Sequence, residues 1–170
     1  MTDWMMMTLI GADRPGIVAR VARVLSDAGV SLGEASMLRL GGSFTIMMMV
    51  SAPLGEAGLR QAMTPVLDQL GLRMHLDPVD GGLHRHQIPN VRVRVNGADR
   101  TGIVADVTGA LLDQGFNILE LDSDVAGDSD SPLYIMTIEG YSERPLETLT
   151  RAVEGLGVNA SVSPIETLIG

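Results

Sequence analysis

The residues best suited to chemistry occur twice in this sequence, in the same order. Residues 11–19 read Gly-Ala-Asp-Arg-Pro-Gly-Ile-Val-Ala, and residues 97–105 read Gly-Ala-Asp-Arg-Thr-Gly-Ile-Val-Ala. Each copy follows an apolar run and begins a segment of helical periodicity, so each is predicted to be a turn from a strand into a helix. Backbone amides at a helix N-terminus bind anions. We therefore expect each loop to be able to hold a small carboxylate.

The side chains of the two loops suit that role. Gly16 and Gly102 leave the backbone bare where a carboxylate would approach the first amides of the helix. Asp13 and Asp99 are able to accept hydrogen bonds from amides of the first turn. The same residue types also act as plain helix caps, and one copy alone does not separate the two roles.

The apolar pattern around the first loop predicts the elements that hold it. The order is βαββαβ: strand 4–10, helix 16–28, strand 30–40, strand 44–50, helix 56–70 and strand 72–79. Gly29 is expected to end the first helix, and Gly41-Gly42 to form a tight hairpin. Residues 80–89 contain two glycines and a proline without apolar periodicity, which predicts a linker.

The pattern then restarts, so the second half repeats the first. Its predicted elements are a strand from 91, a helix from 103 that Gly115 ends, strands 117–125 and 133–139, a helix over 146–156 and a strand over 158–169. We therefore predict two domains, 1–79 and 90–170, of the α+β class. Each is a ferredoxin-like βαββαβ unit, with two helices on one face of a four-stranded antiparallel sheet.

The central strands of the first half are apolar at positions of both parities. This predicts that the sheet face opposite the helices is also covered. The same strands carry two methionine runs, residues 5–7 and 47–49. Thioethers bind soft metals such as copper, but adaptable packing is the commoner role of methionine, and no Cys is present. We expect packing here and no metal.

The repeated loop resembles the ligand-binding loop of ACT domains, which are amino-acid-sensing modules of ferredoxin-like fold. The resemblance covers nearly the whole chain. Formyltetrahydrofolate deformylases begin with a similar unit, but we expect no hydrolase domain in this chain. Two tandem units without a catalytic domain look most like the family of the glycine cleavage system transcriptional repressor.

The resemblance also implies a set of binding residues. ACT domains that bind amino acids commonly place an Asn at the start of the second strand, near the loop of a partner domain. The matching positions are Asn117 in the second half and Ser31 in the first. Because an amide reaches further than a hydroxyl, the second copy is predicted to be the better site. The candidate ligand-binding residues are Asp99, Arg100, Gly102, Ile103, Asn117, Asp13, Gly16, Ile17 and Ser31.

Composition limits the partners. The net charge of −9 and the scarcity of aromatic residues argue against direct nucleic-acid binding. No secretory signal or membrane-spanning run is evident, which predicts a cytoplasmic protein without a membrane partner. With 45% hydrophobic residues in two small domains, some apolar surface is expected to be buried between chains, most simply in a homodimer.

Other clusters have simpler interpretations. His84 and His86 lie in the predicted linker, and four aspartates, residues 122, 124, 128 and 130, crowd a predicted hairpin without the spacing of a calcium loop. Nothing indicates a nucleophile paired with a base, a metal or a cofactor. We expect a non-catalytic regulator that senses a small amino acid, such as glycine, and affects transcription through a protein partner such as a DNA-binding activator. The alternative is a detached regulatory subunit of an amino-acid biosynthetic enzyme.

Overall fold

The chain forms two separate structural units. The structure is a computed structural model that describes residues 4–79, 87–98, 101–126 and 132–166. The first unit spans Met1–His84 and the second Arg85–Gly170, so the division falls inside the predicted linker 80–89. Residues 80–86 of that linker lie outside the described part of the chain.

The first unit has the predicted βαββαβ order. Its elements are β1 (Trp4–Ala12), α1 (Ile17–Asp27), β2 (Ser31–Leu40), β3 (Ser43–Ser51), α2 (Gly55–Leu70) and β4 (Arg73–Pro78). The sheet is antiparallel, with strand order β2-β3-β1-β4. The first and third strands are therefore central, as the ferredoxin-like prediction requires.

Local sequence explains where these elements stop. Gly29 adopts φ 69° just after α1, a left-handed conformation that glycine reaches without steric cost. Gly41 and Gly42 have φ values of 54° and 78°, and they join β2 to β3 in a two-residue turn that pairs Leu40 with Ser43. The predicted hairpin is present, and its register places the end of β2 beside the repeated loop.

The second unit repeats this architecture. Its elements are β5 (Val91–Ala98), α3 (Ile103–Asp113), β6 (Asn117–Ala126), β7 (Leu133–Tyr141), α4 (Leu146–Glu154) and β8 (Asn159–Pro164). The strand order β6-β7-β5-β8 matches that of the first unit. The last strand is shorter than the predicted 158–169, because its pairing with β5 ends where Pro164 meets Val91.

Each unit has its own hydrophobic core between its helices and one face of its sheet. In α1 the buried residues are Ile17, Val21 and Leu25, four positions apart, and in α3 they are Ile103, Val107 and Leu111. The equivalent stripes show that the two repeated loops lead into helices that dock in the same way. Burial of one such side chain contributes about 1.5–3 kcal/mol.

The opposite faces of the two sheets differ in polarity. On the first unit that face presents Trp4, Met6 and Ile10 from β1, with Met47 and Met49 from β3. Although these residues are apolar, Ile10 is 38% exposed and Met47 46% exposed. Within the chain itself only the Trp4 end of this face is shielded, so the expectation that the rest is covered stays a prediction.

Trp4 provides that shielding by lying across β3. A Cβ added to Gly33 of β2 would meet Cζ3 of Trp4 at 3.2 Å and Cβ of Met49 at 3.1 Å. The indole of β1 therefore reaches over the neighbouring strand to β2, which explains why Met49 is only 4% exposed.

On the second unit the corresponding face is charged. Arg92 and Arg94 of β5 lie opposite Glu139 and Thr137 of β7. Arg92 forms an ion pair with Glu139 at 2.7 Å between Nη2 and Oε1. The two units thus share a fold but present open sheet faces of different chemistry.

Candidate functional site

The first repeated loop connects β1 to α1 through a left-handed glycine. Gly16 is the N-cap residue, with φ 85°, and its carbonyl accepts the amide of Arg20 at 3.1 Å to close the first helical turn. In the described part of the chain, this helix has no side-chain cap at its N-cap position. The first amides of an α-helix have no intrahelical acceptor, so those of α1 face outward with a partial positive charge.

The second repeated loop has the same geometry in its described part. Gly102 is the N-cap of α3, with φ 90°, and its carbonyl accepts the amide of Asp106 at 2.9 Å. Within the described residues, this helix also has no side-chain cap at its N-cap position. The predicted binding residues Asp99 and Arg100 lie outside the described residues. The predicted strand-to-helix turn at Gly102 is nevertheless present.

Asp13 does not have the capping role expected from the sequence. Its Oδ2 lies 2.6 Å from Nε of Arg39, near the end of β2, and its own amide donates to the carbonyl of Gly42 at 2.9 Å. The reason is the two-residue hairpin, which brings Arg39 and Gly42 back to the loop and supplies a charged partner for the carboxylate.

A pocket of about 360 Å³ opens beside the first loop. It is lined by Asp13, Arg14, Gly16, Ile17, Val18, Ala19, Met37 and Phe44. The loop contributes polar groups and the start of α1, whereas the strands contribute the apolar Met37 and Phe44. Its volume is at the lower end of the range for small-molecule sites. Such a pocket combines an acidic side chain, a basic side chain and an apolar wall.

Sequence reasoning missed three residues of this region. They are Met37, Arg39 and Phe44. The available signal was the Gly41-Gly42 hairpin, because its two-residue turn fixes Arg39 opposite Phe44. Phe44 in turn pairs with Gly11 of the repeated motif. The hairpin register would therefore have placed Arg39 near the loop.

The same register shows that the two copies have different surroundings. Phe44 corresponds to Tyr134, because each pairs with the first glycine of its motif, Gly11 or Gly97. The residue paired with Tyr134 on the edge strand is Val125, in the position that Arg39 has in the first unit. An apolar side chain thus replaces the cation.

The residues at the start of the second strands lie far from the loops of their own units. Asn117 pairs with Tyr141 at one end of β7, whereas Ala98, which leads into the second loop, pairs with Leu133 at the other end. Eight residues of strand separate these ends by about 27 Å. Ser31 occupies the equivalent remote end of the first sheet, paired with Ser51. Neither unit by itself joins its loop to its Ser31 or Asn117.

Asn117 has a local partner instead. Its Nδ2 donates to Oε1 of Gln87 at 2.7 Å. Gln87 belongs to the predicted linker, and the adjoining Asn90 exchanges hydrogen bonds with Ser142, 2.8 Å from Nδ2 to the carbonyl oxygen and 3.0 Å from the Ser142 amide to Oδ1. The residues after the linker are therefore tied to the second sheet.

The remaining sequence clusters offer little to a ligand. Over residues 4–79, 87–98, 101–126 and 132–166, no three His, Asp or Glu side chains are grouped as a metal site would need. Asp122 and Asp124 lie within β6, while Asp128, Asp130, His84 and His86 fall outside the described ranges. In the same described part, no helix has the length and apolar character to cross a membrane.

Comparison with known proteins agrees with this architecture. The ACT domain model matches residues 4–77, and a second ACT domain model matches residues 91–158. A UPF0237 protein of Methanosarcina mazei is 33% identical over 85 residues, which cover 48% of this chain and 92% of that protein. A crystal structure of an unknown protein from Galdieria sulphuraria shares the fold, with a TM-score of 0.75 and 24% identity over 96% of this chain and 99% of its own.

The glycine cleavage system transcriptional repressor of Escherichia coli K12 is also similar. It is 27% identical over 121 residues, which cover 71% of this chain. The match spans 64% of the repressor, less than two thirds of its length. That relative is regulatory by name, in line with the resemblance noted in the repeated loops. The chain belongs to the ACT-domain family and carries two ACT domains in tandem, each a four-stranded antiparallel sheet with two helices.

Proposed function

We propose that this protein is a non-catalytic regulator that senses a small amino acid through its repeated loops. One observation carries the proposal: two helices begin at a left-handed glycine that provides no side-chain cap of its own, and the first begins beside a pocket with both charges at its edge. A ligand with a carboxylate, an ammonium and a small side chain matches that set of groups.

Each group of the ligand has a counterpart in the first unit. The carboxylate is accommodated at the first amides of α1, where the helix dipole favours an anion. The ammonium pairs with Asp13, whose carboxylate is held in place by Arg39. The side chain contacts Met37 and Phe44 on the apolar wall. Glycine has the first two groups, whereas larger amino acids also use the wall.

The charges around the helices favour the first copy over the second. The fourth residue after the N-cap glycine is Arg20 in α1 and Asp106 in α3. A cation near a helix N-terminus adds to the attraction for a ligand carboxylate, and an anion opposes it. The sequence-based preference for the second copy depended on Asn117, which acts on a ligand only if a second ACT domain brings a loop to it.

Such a shared site would make association depend on the ligand. A ligand that contacts two domains binds the associated state better than the separated state, and so shifts the equilibrium towards it. We propose that this shift changes how the protein binds a partner. The partner would carry the DNA-binding function, since the net charge of −9 opposes direct contact with phosphates.

A thermal-shift screen of the standard amino acids tests the sensing function. A ligand that binds only the folded protein raises its stability by about 2.7 kcal/mol at a concentration of 100 Kd. We expect at least one small amino acid to raise the Tm. The carboxylic acid with the same carbon skeleton but without the ammonium group should raise the Tm less. A screen in which no amino acid moves the Tm would contradict the proposal.

Affinity capture from cell extract, with and without that amino acid, tests the regulatory function. Recovery of a DNA-binding activator whose yield changes with the ligand supports indirect control of transcription. Recovery of a biosynthetic enzyme whose activity responds to this chain would instead establish the alternative, a detached regulatory subunit.

A further inference from the structure

The open sheet face of the first unit is apolar in a way that the fold does not require. We define this apolar face by Trp4, Met6, Ile10, Met47 and Met49. Every one of these residues lies on a central strand, on the side away from the helices. In the second unit the five equivalent positions are polar: Asn90, Arg92, Asn96, Thr137 and Glu139. A sheet face that met only water would be expected to resemble the second unit.

We propose that the apolar face is the interface through which two copies of this chain pack sheet against sheet. The inference does not depend on amino-acid binding, because the face is on the opposite side of the sheet from the helices and from the wall residues Met37 and Phe44. Met37 pairs with the buried Ile46, whereas Leu38 on the other side pairs with Thr45.

The size of the face suits a second copy. β1 and β3 have nine residues each, and four strands are paired. At about 3.4 Å per residue and about 4.8 Å per strand, the whole open side of the sheet, which is the apolar face together with its flanking strands β2 and β4, measures about 30 by 19 Å. Two copies that pack over this whole side would bury about 1,200 Å² in total, which reaches the lower end of the range for stable interfaces.

Charge also favours this face for self-association. Two chains with a net charge of −9 each repel, and they approach at least cost where the surface carries no charge. The outward residues of β1 and β3 are uncharged. On the flanking strand β4, Arg73 and Asp77 carry opposite charges, and His75 lies between them with its Nε2 3.1 Å from Oδ1 of Asp77. Methionines allow one apolar surface to fit a copy of itself under two-fold symmetry.

Sedimentation equilibrium with matched variants tests the interface. The wild-type chain is expected to have twice its monomer mass of 18.0 kDa. Met47→Glu changes a residue that is 46% exposed in the single chain, so the fold should tolerate it. In a two-fold symmetric dimer, however, both copies would bury the new carboxylate in the interface. We expect the dimer Kd to rise at least about 100-fold. Leu112→Glu, at a 70% exposed leucine of α3, is the control and should leave the Kd unchanged.

Trp4 gives a second readout that needs no variant. It is the only tryptophan of the chain and lies on the apolar face, so dilution of the wild-type protein should red-shift its emission and increase its quenching by acrylamide as the dimer separates. Any of three results would overturn the proposal. The wild-type protein could be a monomer, the folded Met47→Glu variant could dimerise like wild type, or Trp4 emission could stay constant while the mass halves.

Discussion

Replacing the left-handed glycine of the first loop by alanine separates its role in binding from its role in folding. Gly16 has φ 85°, and a Cβ added there would meet nothing within 4 Å. Gly29, at the other end of α1, has φ 69° and equally open surroundings. Both alanine variants therefore incur the same kind of backbone strain, about 1–2 kcal/mol, without a clash.

The expected magnitudes follow from this symmetry. For a unit of this size, about 1 kcal/mol corresponds to a Tm change of about 4–8 °C, so both variants should melt about 4–16 °C below wild type. In Gly16→Ala, however, the new methyl group stands where the ligand carboxylate approaches α1. Loss of one charge-assisted hydrogen bond, about 1.5–3 kcal/mol, weakens binding about 10- to 150-fold.

Isothermal titration with the amino acid found by thermal shift measures the difference. Gly16→Ala should lose affinity, whereas Gly29→Ala should bind like wild type despite a similar fall in Tm. Gly102→Ala and Gly115→Ala, with φ values of 90° and 72° and equally open surroundings, make the same comparison for the second copy. Equal affinities within both pairs would refute the assignment of ligand binding to these helix N-termini.

Three further predictions concern binding and packing. Asp13→Asn should weaken binding of the amino acid about tenfold, but it should not affect the matched acid that lacks the ammonium group. The Tm should change little, because the ion pair between Asp13 and Arg39 is partly exposed. Calorimetry with both ligands checks this prediction. Gly140→Ala should destabilise the second unit by about 1–3 kcal/mol, because the added Cβ would overlap the carbonyl oxygen of Asn117 and the ring of Phe116. Gly109→Ala, in an open position of α3, should instead stabilise this unit by about 0.5–1 kcal/mol. The free energy of unfolding in urea measures both effects. Gly11→Ala should cost about 1–3 kcal/mol, because its Cβ would lie 2.8 Å from a backbone oxygen, whereas Gly97→Ala meets nothing closer than 3.5 Å and should melt near wild type.

The fold was predictable because local and periodic signals agreed along the chain. The stripe Ile17, Val21 and Leu25 predicted a buried helix face, and Gly29 and Gly41-Gly42 marked a helix end and a hairpin that the structure confirms. Alternation in β5 likewise predicted which residues face away from the helices. Each of these signals depends on residues that are close together in the chain, so a single sequence is enough to recognise it.

The candidate site was harder to predict because it depends on pairing between strands. Asp13 is able to cap a helix, but the register of β2 supplies Arg39 as a stronger partner, and composition does not reveal that register. Asn117 and Gly102 belong to one unit, yet they lie at opposite ends of its sheet. The open apolar face was predicted to be covered because apolar residues at both parities of a strand indicate burial on both faces. Such a pattern does not show whether the covering surface belongs to the same chain or to another.

Amide chemical shifts of the labelled protein, followed during titration with each small amino acid, distinguish a ligand-binding loop from a plain helix cap. We expect the amides from Gly16 to Ala19 to shift most and to saturate, with a smaller or absent response from Gly102 and Ile103. Residues of the apolar face should respond only through a change in association. If no amino acid shifts either set of helix N-terminal amides, these loops are helix caps alone and the sensing function is contradicted.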